Sequence, residues 1–196
     1  NLIEENLSGV SRAVSITGFR GALSSEASLD RLTVADEEGV WLTLEDVVLD
    51  WNRSALLRGR IEVSELSAAQ ITVARAPISD GSGDTAPSAE AQPFSLPELP
   101  VSISLGQLKI EQIALGESFL GEPVNISLTG TANLAGGEGS ANVTATRLDS
   151  TAGSFVIDGS YSNETRNLLL DLDVNEGADG IAARLLDLPD RPALAL

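Results

Sequence analysis

Apolar and polar residues alternate along most of the chain, in short runs separated by Gly, Asn and Asp. The alternation is clearest in "VWLTLEDVVLDW", residues 40–51, whose apolar residues keep one phase up to Leu44 and the opposite phase from Val47 onward. Successive side chains of a β-strand point to opposite faces, so such a run is typical of a strand with one apolar face. The change of phase predicts a bulge near Asp46.

The same pattern predicts roughly ten to eleven strands in all. The other predicted strands are "AVSITGF", "SLDRLTV", "RIEVSEL", "AQITVAR", "VSISL", "QLKIEQIAL", "PVNISLTGTANL", "GSANVTATRL", "GSFVIDGSYS" and "NLLLDLDV". Only "GADGIAARLLDLP" has the apolar spacing of a helix of any length. Asn52 is also placed to cap a single helical turn through "RSALL", which would end at Gly59.

These elements leave open what covers the apolar face of the strands. A sheet that folds fully onto itself would form a closed β-sandwich with a dry core, whereas a partly folded sheet would leave an apolar groove. Aromatic residues make up only 4% of the chain, and a sandwich core would be expected to contain more large side chains. The predicted fold is therefore all-β, mainly antiparallel and meander-like: a curled amphipathic sheet forming an open apolar groove, with one or two short helices. A closed β-sandwich is the alternative.

The phase of each strand then predicts which residues line the groove. One missed bulge would reverse the assignment of a whole strand, so these predictions depend on correct phase. The predicted lining residues are Val40, Leu42, Leu44, Ile61, Val63, Ile71, Val73, Val101, Ile103, Leu105, Val124, Ile126, Leu128, Phe155, Ile157, Leu168, Leu170 and Leu172.

A change in composition divides the chain. Residues 77–100, "PISDGSGDTAPSAEAQPFSLPELP", contain five Pro among mostly small and acidic residues, which is typical of a linker or loop. We therefore predict an amino-terminal β-groove segment over residues 1–76 and a second β-groove segment, ending in a short helix, over residues 101–196. The sequence contains no Met, not even at position 1, so we expect it to be a fragment of a longer chain. No run of residues approaches the roughly 18–20 apolar residues of a membrane span.

The charge of the chain disfavours several partners. It has 12 basic and 29 acidic residues, a net charge of −17. Such a surface repels the phosphates of nucleic acid, so we expect no nucleic-acid partner. It also disfavours adsorption onto anionic lipid headgroups.

The chemistry of the side chains argues against an enzyme. The chain lacks Cys and His, which excludes thiolate nucleophiles, Ser–His pairs and the usual Cys or His metal ligands. Residues 171–180 resemble the start of a calcium loop, but Glu176 stands where Gly is required and Ala182 where Glu is required. We predict no catalytic residues, no metal site and no cofactor. A hydrolase using only carboxylates is a distant alternative.

The first 76 residues also carry a more specific series of features. Gly18 and Gly21 flank a short turn, and "LDRLTVADEEGVWLTLEDVVLDW" gives a strand, an acidic turn with Gly, and a longer strand ending in Trp51. "ALLRGRIEVSEL" then gives a helical turn, Gly59 and a strand, and the series closes at residues 75–77. This series resembles the amino-terminal region of the TamB (translocation and assembly module) family, which belongs with the AsmA-like, repeating β-groove proteins. Residues 101–196 share only its style of amphipathic strands and polar turns.

The resemblance implies a function. Proteins of this family are periplasmic, are held in the inner membrane by an amino-terminal helix, and form a rolled sheet with an apolar inner surface. They are implicated in outer-membrane biogenesis, in phospholipid transport between the two membranes, and in protein insertion with a TamA-like outer-membrane barrel. By this resemblance we expect phospholipid as the ligand, the barrel as a partner of other parts of the full chain, and a membrane anchor upstream of Asn1. The alternative function is a structural or chaperone-like module that binds partner strands by β-augmentation.

Overall fold

The computed structural model describes residues 13–21, 26–78, 95–149 and 152–196, and these residues form one large β-sheet. Its eleven strands are β1 (Ala13–Thr17), β2 (Arg20–Gly21), β3 (Glu26–Asp36), β4 (Gly39–Asn52), β5 (Arg60–Val73), β6 (Ser102–Leu115), β7 (Val124–Ala135), β8 (Glu138–Arg147), β9 (Gly153–Ser162), β10 (Leu168–Glu176) and β11 (Leu194–Ala195).

The helices are short. A 3-10 helix spans Arg53–Arg58, α1 spans Glu117–Leu120, and α2 spans Ile181–Leu185. Asn52 caps the 3-10 helix by accepting a hydrogen bond from the backbone N–H of Ser54 at 3.1 Å, and Gly59 ends it with a φ of 68°. Both ends lie where the sequence predicts them.

The strands follow one another across the sheet in the order β1-β3-β4-β5-β6-β7-β8-β9-β10-β11, and β2 pairs beside β1 on β3. Neighbouring strands are antiparallel with one exception, and the sheet does not close on itself. The predicted open, mainly antiparallel all-β fold is therefore confirmed, and the alternative of a closed β-sandwich is wrong.

The exception is the pair β5–β6, which is parallel. Ile61 pairs with Ile103 and Val73 pairs with Leu115, so the register between the two strands is the same at both ends. The strands on the two sides of residues 77–100 thus lie next to each other in the same sheet. A parallel pair needs a crossover connection rather than a hairpin, and the connecting residues include 79–94, which lie outside the described residues.

Four adjacent strands are interrupted at the same level of the sheet. The ladders skip Asp30, Asp46, Ala69 and Glu111, which follow one another across β3, β4, β5 and β6. Asp46 has a φ of 49°, at the position where the sequence predicts a bulge. On either side of the interruption the apolar residues are three positions apart instead of two: Leu29 and Leu32, Leu44 and Val47, Ala68 and Ile71, Ile110 and Ile113.

A second irregularity affects β5 and β6 further along the sheet. Ser64 of β5 lies beside Gly106 of β6, and neither belongs to the β5–β6 ladder. A Cβ atom on Gly106 would lie 3.1 Å from the carbonyl oxygen of Ser64, so this close approach favours glycine. Bulges bend strands and increase their twist, so these two irregularities place bends inside β5 and β6.

The core is small because few of the described residues pack against the sheet. The buried apolar residues of the described strands all lie on one face of the sheet, and most of the larger apolar side chains on that face are only half-buried. The buried ones are Ala27, Val34, Ala68, Ile110, Val124 and Val174.

The chain after β5 is attached to the β3–β4 turn by Asp36. The Arg75 guanidinium donates to both oxygens of the Asp36 carboxylate, one at 2.8 Å, and the backbone N–H groups of Ile78 and Glu38 donate at 3.0 and 2.9 Å. The hydrogen bond from Arg75 and those from the backbone lower the pKa of Asp36 far below its usual range.

This lowered pKa predicts how stability depends on pH. The pKa of Asp36 is lower in the folded than in the unfolded chain, so its contribution is fully present above about pH 4 and is lost as the pH falls below that value. We expect Asp36→Asn to lower the free energy of unfolding at pH 7 and to make a smaller difference at pH 3, measured by urea unfolding. Asp173→Asn, on an exposed carboxylate of β10, is the control of equal charge change. An effect of Asp36→Asn that is equal at pH 7 and pH 3 would contradict this role.

Candidate functional site

The register of the strands brings most apolar side chains to one side of the sheet, here called the apolar face. Paired residues of neighbouring strands point to the same side. One row of such pairs crosses six strands: Val14, Val34, Leu42, Val73, Leu115 and Val124. A second row runs beside it: Ile16, Leu32, Leu44, Ile71, Ile113 and Ile126.

The predicted lining residues fall on this face with two exceptions. Within the strands from β4 to β10, the register connects each of the others into such rows; Leu168, for example, pairs with Tyr161, which pairs with Gly139. Val101 is half-buried and precedes β6, so no pair assigns it to a face.

Val40 is the second exception. Leu42 pairs with Val34, but Val40 pairs with Ala35, so β4 contains one extra residue between these two pairs. This bulge reverses the phase. The register therefore places Val40 on the face opposite Leu42, and Val40 is 52% exposed.

Several members of the apolar face are missing from the predicted lining. Some of them lie two residues from a predicted lining residue in the same strand, and this spacing could have identified them. The others follow one of the interruptions described above, where the spacing changes. They include Leu32, Val34, Leu66, Leu108, Ile113, Leu115, Leu134, Val143, Ala145, Tyr161 and Val174.

The apolar face is covered unevenly. Val124 and Val174, toward one end of β7 and β10, are only 1% and 4% exposed. Toward the opposite end of β9 and β10 the face is open, and its large side chains are exposed: Ile157, Leu168, Leu170 and Leu172. The uncovered part of the apolar face therefore lies on the last two long strands.

The covered end is closed by α2 and the residues before it. The side chains of Arg147 and Glu176 both lie over Gly153, because a Cβ atom on that glycine would lie 2.9 and 3.2 Å from them. Gly180 in turn sits against the carboxylate of Glu176, and Ala183 of α2 is 1% exposed. The chain after β10 thus folds back onto the apolar face.

Arg147 and Glu176 form a buried ionic cluster at this end. Arg147 donates from Nη1 to the carboxylate of Glu176 at 3.2 Å. Arg147 also donates from Nε and Nη2 to the two carboxylate oxygens of Asp149, both at 2.9 Å. Glu176 also accepts hydrogen bonds from the backbone N–H groups of Ile181 and Ala182, at 2.6 and 2.8 Å. Burial alone would lower the pKa of Arg147, but its hydrogen bonds with Asp149 and Glu176 outweigh burial and raise that pKa.

The position of this cluster was not predicted, although the sequence contains a signal. Arg147 pairs with Ile126, and Glu176 pairs with Gly153, so both charged residues occupy apolar phases of their strands. A charge in an apolar phase at the end of a strand indicates either a partner or a break in the apolar surface. Here Arg147 and Glu176 are each other's partners, and they also mark where the apolar face ends.

The outer edge of β10 is the second unusual surface. Val174 exchanges two backbone hydrogen bonds with Leu196, at 3.2 and 2.9 Å, and β11 pairs with Asn175 and Glu176. Among the described residues, no strand pairs with residues 168–173 on this side. Because backbone groups alternate in direction along a strand, the N–H and C=O of Leu168, Leu170 and Leu172 point to the same unpaired edge as those of Val174.

The described residues include short helices and many acidic side chains. No helix among them is long and apolar enough to cross a membrane, and none of their acidic side chains form a group of three suited to a metal ion. Comparisons with known protein families, curated proteins and solved structures give no match for this chain.

The ionic cluster predicts a large stability effect. Removing one partner of a buried pair costs about 3–5 kcal/mol when the remaining charge is left uncompensated. Arg147 would keep its two hydrogen bonds with Asp149, so we expect Glu176→Ala to lower the free energy of unfolding by less, about 1.5–3 kcal/mol. Glu176→Gln should lower it less still, because its amide oxygen can still accept a backbone hydrogen bond. Urea unfolding at pH 7 measures both. Glu164→Ala, at an exposed carboxylate, is the control; equal effects of Glu164→Ala and Glu176→Ala would show that the cluster stabilises nothing.

Proposed function

We propose that this chain is a non-enzymatic β-groove segment that binds phospholipid acyl chains and conducts them between the inner and outer membranes. One observation carries the proposal: a continuous aliphatic face on an open sheet, uncovered at Ile157, Leu168, Leu170 and Leu172. Contiguous apolar surface of this kind is unusual on a soluble monomer and marks binding sites.

The chemistry of the face suits acyl chains. Each CH₂ group that leaves water for an apolar surface gains about 0.8 kcal/mol, so several contacts with Leu and Ile offset much of the cost of moving a lipid through water. The uncovered residues carry no hydrogen-bonding groups that could recognise a headgroup. Binding is therefore expected to discriminate little between phospholipids.

The resemblance to the TamB family supplies the cellular setting of the proposal. It supports a periplasmic location within an inner-membrane-anchored protein that acts in outer-membrane biogenesis and protein insertion, with a TamA-like barrel as partner of other parts of the chain. The net charge of −17 supports a role away from the anionic membrane surface.

A second candidate function is favoured by the edge of β10. Its unpaired N–H and C=O groups offer an antiparallel partner strand a template, and β11 already uses the end of that template. Partner strands bind such edges by β-augmentation. This would make the chain a structural or chaperone-like module for extended segments.

Two adjacent leucines test the lipid proposal directly. Leu170 lies on the apolar face and Leu169 on the opposite face, and the two residues are 58% and 69% exposed. We expect Leu170→Asp to weaken binding of a phosphatidylethanolamine carrying a fluorescent acyl chain by at least about tenfold, because a charge would face the acyl chain. Leu169→Asp is the matched control and should leave binding unchanged.

Both residues are exposed, so neither variant should unfold the sheet, and circular dichroism checks this. Native mass spectrometry of the purified proteins gives an independent measurement of bound lipid. Equal lipid binding by the two variants, or no binding by the wild-type chain, would contradict the proposal.

A different variant tests the second candidate. Leu170→Pro removes a backbone N–H that points to the free edge and leaves the ladder with β9 intact. A fluorescent synthetic peptide with the sequence of β9, which pairs with β10 in the fold, serves as the strand probe. If β-augmentation occurs, fluorescence anisotropy should show that Leu170→Asp retains peptide binding and that Leu170→Pro loses it. Peptide binding unaffected by Leu170→Pro would exclude this edge as the site.

A further inference from the structure

Residues 95–100, here called the strap, touch the apolar face through Leu96. Gly139 belongs to that face, since it pairs with Leu134 and Tyr161. A Cβ atom on Gly139 would lie only 2.7 Å from Cδ1 of Leu96. The Leu96 side chain therefore occupies the space above Gly139, and it is half-buried whereas the other strap residues are exposed.

The side chain of Asn163 binds the strap at Leu96. The backbone N–H of Leu96 donates to Oδ1 of Asn163 at 2.8 Å, and Nδ2 of Asn163 donates to the carbonyl of Leu96 at 2.9 Å. Asn163 lies in the turn between β9 and β10, and its own N–H donates to the carbonyl of Gly137 at 2.9 Å. The side-chain amide of Asn163 thus forms with the backbone of Leu96 the two hydrogen bonds that a residue of a neighbouring strand would form.

The other end of the strap leads into β6 at a distant part of the sheet. Ser102, at the start of β6, donates its N–H to the carbonyl of Gly59 at 3.0 Å. In the strand order, β7 and β8 separate β6 from β9, so the strap passes from the β9–β10 turn to the β5–β6 pair. Pro97 and Pro100 restrict its backbone, which favours an extended crossing.

We infer that the strap is a built-in competitor for the acyl chain, closed while Asn163 holds Leu96 and opened when that contact is released. This inference rests on the proposed function. The row of paired residues from Gly139 through Tyr161 ends at Leu168, which is exposed. Opening the strap therefore extends the uncovered apolar surface from β10 back to β8.

The energetics allow such opening. Leu96 and an acyl chain cover the same kind of surface, so each can replace the other at little cost in apolar burial. The two hydrogen bonds from Asn163 contribute little net stability, because water can replace them. When only a fraction of molecules is open, the apparent affinity for lipid is lowered by that fraction.

Two variants of the strap test the inference by different changes. Asn163→Ala removes both hydrogen bonds, and Leu96→Ala removes the competing side chain from a residue outside every strand and helix. For each we expect the fluorescent phosphatidylethanolamine to bind roughly tenfold more tightly than to the wild-type chain. Asn167→Ala, at an exposed asparagine of the same turn, is the control and should bind like the wild type.

Hydrogen exchange gives a readout that mere loosening of the fold would not produce. Addition of vesicles of phosphatidylethanolamine and phosphatidylglycerol should accelerate exchange of the Leu96 amide in the wild-type chain, because lipid displaces the strap. The amides of β7 should be unaffected.

The outcomes separate the two proposals. If Leu170→Asp abolishes lipid binding while Asn163→Ala and Leu96→Ala bind lipid like the wild type, the strap inference is wrong and the proposed function stands. Weaker binding by both strap variants, with slower exchange of the Leu96 amide in lipid, would make the strap a wall of the site and would also overturn the inference. If no variant and no wild-type protein binds lipid, the proposed function fails and the strap inference fails with it.

Discussion

The structure depends on one constraint: apolar side chains must stay on the same side of the sheet across nine neighbouring strands, β1 and β3 to β10. A slip of one residue in any of them would turn its apolar side chains to the opposite face. The interruptions in β3, β4, β5 and β6 occur at the same level, at Asp30, Asp46, Ala69 and Glu111. Because all four strands change phase at the same level, their apolar residues remain aligned on both sides of the interruption.

Within the described part of the chain, no second sheet covers the apolar face, and the elements that do cover it are held by specific contacts. At one end, α2 is held by the ion pair of Arg147 with Glu176, and the backbone N–H groups of Ile181 and Ala182 bind the same carboxylate. A buried ion pair adds little net stability compared with apolar packing. Its more evident effect here is geometric, since it fixes where the apolar face ends and where α2 lies on it.

The sequence predicts the features that arise from alternation and from local caps. The open all-β fold, the strand phases, the 3-10 turn between Asn52 and Gly59, and the irregularity at Asp46 all follow from neighbouring residues. The bulge at Trp41 was missed because Val40, Leu42 and Leu44 are spaced two residues apart, and only the pairing of Val40 with Ala35 shows that Val40 lies on the opposite face. The parallel β5–β6 pair, the Arg147–Glu176 cluster and the Leu96–Asn163 contact join residues distant in sequence, so no local pattern specifies them. They depend on how the strands are ordered, which alternation does not encode.

The two candidate functions use different atoms of the same residues on β10. Leu168, Leu170 and Leu172 point their side chains to the apolar face and their N–H and C=O groups to the free edge, because both directions alternate with a period of two. A partner strand bound at this edge would therefore set its own side chains beside these leucines on the apolar face. If that strand were amphipathic, it would widen the apolar surface by one strand rather than cover it. Strand addition at β10 and acyl-chain binding are thus compatible in geometry, and variants that change only the side chain or only the backbone N–H can separate them.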